Sequence, residues 1–143
     1  MNKPVLIVGG GPAGLAAAHS LATVGKSCVI VEKEDRLGGA PILSGYAKLV
    51  PSGEWAKDAI GGMVKRVEDE ANVKIMTGTT VKQFDGAPGS FSAQLSNGEA
   101  LDAEAVILCS GFTHFDSVNK PEWGFGTFED VVTTTQVEQM ISS

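Results

Sequence analysis

Gly9, Gly11 and Gly14 stand in the spacing G-x-G-x-x-G, between the apolar run Val5-Leu6-Ile7-Val8 and the helix-forming run Leu15 to Ala22. Each glycine in such a turn has a separate job. Gly9 permits the tight bend, Gly11 lets backbone come close to a pyrophosphate, and Gly14 lets helix pack on strand. The helix start adds free N–H groups and the positive end of the helix dipole. Pro12 suits that start, where its missing N–H is no loss. The segment Gly10-Gly11-Pro12-Ala13-Gly14 is therefore the candidate pyrophosphate cradle, acting through its main-chain N–H groups. A second apolar run, Ser27 to Val31, ends on Glu32, eighteen residues after Gly14. A carboxylate at that distance takes the ribose hydroxyls of a dinucleotide and disfavours a 2′-phosphate. Glycine turns without a ligand are common. Strand, turn, helix, strand and acid in this order instead define a dinucleotide-binding βαβ unit, with NAD and FAD both open.

The elements that must position these residues follow from period and punctuation. Gly25 ends the first helix. The segment from Asp35 to Gly53 is rich in Gly, Pro and Ser, has no clear period, and reads as a long loop leaving the C-terminal edge of a sheet, where α/β proteins bind ligands. Ala56, Ala59, Ile60, Met63, Val64, Val67 and Ala71 recur at helical spacing, predicting an amphipathic helix from about Trp55 to Ala71, with Asn72 as its stop. Val73 to Met76 reads as a third parallel strand. Thr80 to Phe84, Ser90 to Leu95 and Ala100 to Asp102 are short strand-like runs separated by Asp85-Gly86-Ala87-Pro88-Gly89 and by Ser96-Asn97-Gly98-Glu99, a strong hairpin turn. They predict a three-stranded meander. Ala105 to Cys109 is wholly apolar, as a buried parallel strand is, and it ends on Ser110-Gly111.

With 143 residues, 43% of them hydrophobic and 20% charged, the chain suits a single domain with a real core. The net charge of −6, without a Lys/Arg cluster, argues against nucleic acid or an anionic membrane surface. No transmembrane segment is expected, because no run approaches the roughly 18 apolar residues that a span requires. The apolar start passes directly into the glycine turn rather than into a signal-peptide cleavage site, giving a cytoplasmic address as the expectation. Cys28 and Cys109 form no C-x-x-C pair and read as buried small residues. The chain has neither a dithiol nor the four clustered cysteines of an iron–sulfur site. Neither a metal-ligand set nor a nucleophile–base–orienter triad can be assembled, so any redox chemistry belongs to a cofactor.

A meander crossover closing on a small-residue–Gly turn beside a glycine loop resembles the FAD domain of glutathione-reductase-like flavoproteins. The resemblance runs from Pro4 to about Phe115 and rests on Gly9-Gly10-Gly11-Pro12-Ala13-Gly14, Glu32-Lys33, Leu37-Gly38-Gly39 and Leu108-Cys109-Ser110-Gly111, where the family usually has Ala-Thr-Gly at the turn. It implies a Rossmann-like α/β fold, a parallel sheet with a three-stranded β-meander crossover, and FAD as cofactor. It also implies that Lys33 flanks the adenosine, Val81 offers backbone bonds to adenine, Gly39 lines the pyrophosphate or ribityl side, and Ser110-Gly111 turns past the diphosphate. Further on, Gly111-Phe112-Thr113-His114-Phe115-Asp116, Lys120-Pro121-Glu122-Trp123-Gly124-Phe125-Gly126 and Val131-Val132-Thr133 resemble the FAD-carrying subunit of heterodisulfide reductases and its relatives in sulfur metabolism. That family implies a non-covalent FAD passing electrons between iron–sulfur and disulfide-reducing partner subunits. Many of its members hold a cluster in the loop after the first Gly-Gly. Residues Ala40 to Glu54 here carry no cysteine, which is closer to the cluster-poor forms.

The family's FAD domain is completed by a later Gly-Asp segment, often after a second G-x-G-x-x-G domain, and neither occurs in this sequence. The expectation is one dinucleotide-binding domain over residues 1–143, incomplete relative to the family, with 116–143 an irregular extension. Thr135 with Glu138 fits a capping box, so a short helix should start near Gln136. Val137, Met140 and Ile141 would form an apolar stripe, against the chain's own sheet or against a partner or second copy. Near an isoalloxazine the candidates are Tyr46, Lys48 and His114. His19 reads as structural, and Trp55 and Trp123 as packing residues. The leading functional expectation is an FAD-binding electron-transfer subunit of a heterodisulfide-reductase-like assembly. The alternatives are a redox-silent nucleotide-binding or scaffold module, or the FAD half of an NAD(P)H-dependent flavoprotein oxidoreductase.

Overall fold

The structure, a computed structural model, describes residues 3–142. Four short strands form a parallel sheet: β1 (Val5–Val8), β2 (Cys28–Val31), β3 (Val73–Met76) and β7 (Ala105–Leu108), in the spatial order β3-β2-β1-β7. Val8 pairs with Val31 on one side and with Leu108 on the other, and Val31 pairs with Met76. All four strands therefore end level, and the segments starting at Gly9, Glu32, Thr77 and Cys109 leave from one edge. The chain moves from β1 to β2 on one side and reaches β7 on the other, which opens the crevice where such sheets bind ligands.

Alternation along β1 separates two cores. Val5 and Ile7 face α1 (Pro12–Thr23) and α3 (Ala56–Glu68), packing with Leu15, Ala18, Cys28, Ile30, Leu37, Ile60 and Val67. Leu6 faces the other way with Val29, Val31, Met76, Ala93, Leu95 and Ala103, beneath the meander of β4 (Val81–Ala87), β5 (Ser90–Leu95) and β6 (Ala100–Ala103). Helices cover one face and the meander the other, which is why β1 and β2 are apolar at nearly every position.

Helix α1 closes on Gly25, whose φ of +74° suits glycine; Gly25 N–H bonds Ala22 O and Lys26 N–H bonds Leu21 O, a Schellman end. Helix α3 stops at Glu68, three residues before the end predicted from its apolar period. There the chain folds into turns, and the Asn72 side-chain amide donates to Ala22 O and Lys26 O, tying this turn to the end of α1. The meander's first turn is also tighter than expected: Asp85, Gly86 and Ala87 continue β4, paired with Ser92, Phe91 and Ser90, leaving Pro88-Gly89 as the turn. Strand β7 is not buried. It is one of the sheet's two edges among the described residues, half-buried at Val106 and Ile107 and 76% exposed at Leu108, because nothing described pairs with its outer side.

The long loop after β2 contains a one-turn helix, α2 (Ala40–Leu43), which begins at Gly39. After β7 come two 3₁₀ turns (Ser117–Asn119 and Pro121–Trp123) and α4 (Thr134–Ser142). The cap of α4 lies two residues earlier than predicted. Gln136 N–H bonds Thr133 Oγ1 at 3.2 Å and Thr133 N–H bonds Gln136 Oε1 at 2.8 Å, a capping box built on Thr133 and Gln136. Glu138, which would have bonded back to Thr135, instead accepts from Ala47 N–H at 2.7 Å.

Candidate functional site

The glycine turn is held from several directions. Gly9 N–H bonds Val31 O, Cys109 N–H bonds Val8 O, and Gly38 N–H bonds Gly10 O. A methyl group at Gly9 would overlap Cys109 O and one at Gly14 would overlap Gly9 O, so backbone packing requires both to be glycine, while one at Gly10 would press on the Leu37 side chain. Gly11 differs. Its φ of −78° and ψ of −174° suit any residue, and a methyl group there would touch only Gly39 Cα, at 3.6 Å. Glycine at 11 is not required by packing; it serves as the N-cap of α1, where it ranks above alanine, and it leaves this stretch of backbone bare. Gly11 is the N-cap of α1 and supplies no side chain; the first-turn N–H groups of Ala13 and Gly14 have no partner one turn back. Bare backbone with outward N–H groups at a helix start is a site for phosphate.

The side of this cradle is Gly39. With φ of +62° it caps α2, and a methyl group on it would come within 2.8 Å of Gly11 Cα. Loop and turn therefore meet backbone to backbone. Leu37, buried and packed over Gly10, fixes that approach; its role has no signal in the sequence beyond its place before Gly38.

Glu32 is 6% exposed, and both its oxygens are used: Oε2 accepts from Gly10 N–H at 2.6 Å and Oε1 from Glu34 N–H at 2.9 Å. A carboxylate has about four lone-pair sites, which leaves two for ribose hydroxyls. Its main chain is fixed as well, Glu32 N–H to Met76 O and Thr79 N–H to Glu32 O, with Thr79 buried beside it. Lys33 is exposed and paired with Glu34 at 3.5 Å. Val81 opens β4, half-buried against the second core. Ser110 and Gly111 are exposed beyond β7, Gly111 with φ of +69°.

Of the three residues expected near an isoalloxazine, two come together. Tyr46 and His114 meet edge to face with ring centroids 6.2 Å apart, and His114 Nε2 lies 3.0 Å from Ser44 Oγ. Lys48 does not join them; its Nζ sits 4.8 Å from the centroid of the Trp55 ring, with which Lys48 also forms an isolated backbone bridge. Trp55 and Trp123 are 46% and 63% exposed, so neither is a core packing residue. Trp123 instead carries Lys120 at 6.0 Å. His19 Nδ1 approaches Glu70 Oε1 to 3.3 Å without hydrogen-bond geometry. Burial raises the thiol pKa of Cys28 in the core, and that of half-buried Cys109 just beyond β7.

A parallel sheet with a meander crossover, a glycine turn over a helix start and an acid closing the second strand define a dinucleotide-binding oxidoreductase domain. Residues 4–139 match the family described as FAD dependent oxidoreductase, and the chain belongs to it; its cofactor is FAD. The chain is 31% identical over 131 residues to an iron-sulfur subunit of the CoB–CoM heterodisulfide reductase of Methanopyrus kandleri, covering 89% of this chain and 19% of that protein. It is 29% identical over 138 residues to the ferredoxin–NADP reductase of Gluconobacter oxydans, covering 90% of this chain and 39% of the relative. Among solved structures, thioredoxin reductase from T. acidophilum superposes with a TM-score of 0.67 at 24% identity, over 80% of this chain and 37% of that one, a likeness of fold. The chain thus spans about a fifth of the heterodisulfide reductase protein and under two fifths of the other two.

The residues present fit the adenosine-diphosphate part of FAD: an open cradle at Gly11 with outward N–H groups, and a carboxylate with spare acceptor sites at the level of the ribose. No helix among the described residues is long and apolar enough to cross a membrane.

Proposed function

We propose that this chain holds the ADP-binding half of an FAD site in a cytoplasmic electron-transfer component related to the FAD-carrying subunit of heterodisulfide reductases, as one domain over residues 1–143. The observation that carries this reading is the bare start of α1 at Gly11, where no side chain covers the first-turn N–H groups of Ala13 and Gly14. In this reading the N–H groups of Gly11, Ala13 and Gly14 bind the pyrophosphate, with Gly10 and Pro12 shaping the turn and Gly9 the bend. Glu32 accepts from the ribose hydroxyls. Lys33 and Val81 flank the adenosine, while Gly39, Ser110 and Gly111 border the diphosphate. Bound FAD supplies the redox chemistry, and the protein sets its position and access.

In this reading, partner subunits of a heterodisulfide-reductase-like complex cover the exposed apolar side chains that follow the sheet edge, Leu108, Phe112, Phe115, Trp123 and Phe128. The test is an absorption spectrum with an FAD titration. Flavin bands that bleach with dithionite support the reading. A colourless protein that takes up no added FAD overturns it, and one that binds ADP but no flavin selects the redox-silent nucleotide module.

A further inference from the structure

A cavity of about 560 Å³ opens between residues 41–47, the start of α3 and the end of α4. That is within the roughly 300–1,000 Å³ of small-molecule sites. None of the residues proposed to hold FAD lines it, and neither Ser44 nor His114 does.

The walls are set by hydrogen bonds between distant segments. Ala56 N–H donates to Ala47 O at 2.9 Å, which seats Trp55 and the first turn of α3 beside residues 45–47. From the other side Glu138 accepts from Ala47 N–H and Ser142 Oγ donates to Gly45 O, which brings Ile141 to the rim. Ile42, Tyr46, Trp55 and Ile141 give the cavity an apolar and aromatic lining, and Trp55 and Ile141 are exposed there despite their size.

Two opposite charges, Lys57 and Asp58, line the same cavity. Neither side chain has an ion-pair or hydrogen-bond partner among the described residues, whereas Lys3, Lys26, Lys33, Lys74 and Lys120 are each paired. Lys57 also stands in the first turn of α3, where the helix dipole disfavours a cation. Its main-chain N–H has no acceptor among the described residues, unlike those of Ala56 and Asp58, which donate to Ala47 O and Trp55 O. An organic anion alone would meet the Asp58 carboxylate, and a cation alone would meet the Lys57 ammonium. A ligand carrying both charges side by side satisfies both groups.

We propose that this cavity binds a free α-amino acid with a large apolar side chain. The Lys57 ammonium and N–H take its carboxylate, Asp58 takes its ammonium, and Ile42, Tyr46, Trp55 and Ile141 enclose its side chain.

The experiment uses the full chain with Trp123→Phe, which leaves Trp55 as the sole tryptophan. Its emission is followed during titration with L-phenylalanine, hydrocinnamate and phenethylamine, which carry both charges, the negative one and the positive one on the same ring system. Phenylalanine should shift the emission and bind more tightly than either analogue. Lys57→Gln should weaken phenylalanine and hydrocinnamate about two- to fivefold, the size of one exposed ion pair, and spare phenethylamine. Asp58→Asn should weaken phenylalanine and phenethylamine and spare hydrocinnamate, while Ile141→Ala should weaken all three. No response to phenylalanine at millimolar concentration, or losses that ignore the charge of the ligand, overturns the proposal. Phenylalanine that lowers FAD affinity in calorimetry makes the cavity part of the cofactor site and overturns it as well. Each of these failures leaves the cofactor reading standing.

Discussion

The main-chain N–H of Gly10 donates to Glu32 Oε2 over 2.6 Å, so the acid that closes β2 also fixes the glycine turn. In the proposed site, one side chain thereby joins the ribose position to the phosphate position. Glu32→Ala leaves the Gly10 and Glu34 N–H groups without their acceptor. Glu32→Gln can keep one bond, but turns an amide N–H₂ toward the other N–H. Hydrogen bonds to a charged group contribute about 1.5–3 kcal/mol each. We expect either variant to lose roughly 2 kcal/mol in urea unfolding and at least tenfold in FAD affinity by fluorescence quenching. Native stability in both variants would contradict the dual role.

Gly11 and Gly14 separate ligand demand from folding demand. Gly11→Ala should fold with a melting temperature only a few degrees below wild type, since alanine is a poorer N-cap than glycine but meets no clash, yet bind FAD and ADP far more weakly. Gly14→Ala places a methyl group into Gly9 O and should be recovered largely unfolded. Circular dichroism with ligand titration distinguishes the two.

The cap of α4 provides a third test. Thr133→Ala removes the acceptor of Gln136 N–H and should loosen the helix by about 1 kcal/mol. Glu138→Gln should weaken the anchor at Ala47. In both variants, hydrogen exchange should speed up over residues 134–142 and over 44–47 together, with the sheet core unchanged. Faster exchange in α4 alone would show that the helix does not brace that loop.

The thiols give a pH test. Burial raises the pKa of Cys28 and of Cys109, so each binds its proton more tightly folded than unfolded. The stability this contributes is complete below the unfolded thiol value of about 8.5 and is lost as pH rises through the folded values. The melting temperature should therefore fall above about pH 8.5, less steeply in Cys28→Ala. Alkylation at pH 7.5 should be slow at Cys109, and slower still at Cys28, which is 1% exposed.

The sequence by itself determined β1, α1, β2 and the glycine turn, the third strand, and the hairpin at Asn97-Gly98. Each rests on forces acting over a few neighbouring residues: alternating apolar burial, a positive φ, a helix start. The family that the motifs resembled was legible for the same reason, since a phosphate-binding turn is a local object. Only the tertiary structure decided which of three consecutive threonines caps α4. Thr133, Thr134 and Thr135 are locally near-equivalent, and the choice follows from Glu138 being drawn to Ala47, 91 positions away. It likewise decided that β7 is a half-exposed edge, because burial of an apolar strand depends on what lies beside it. It also brought Ser44 to His114 and sent Lys48 to Trp55, contacts set by where distant segments leave the sheet.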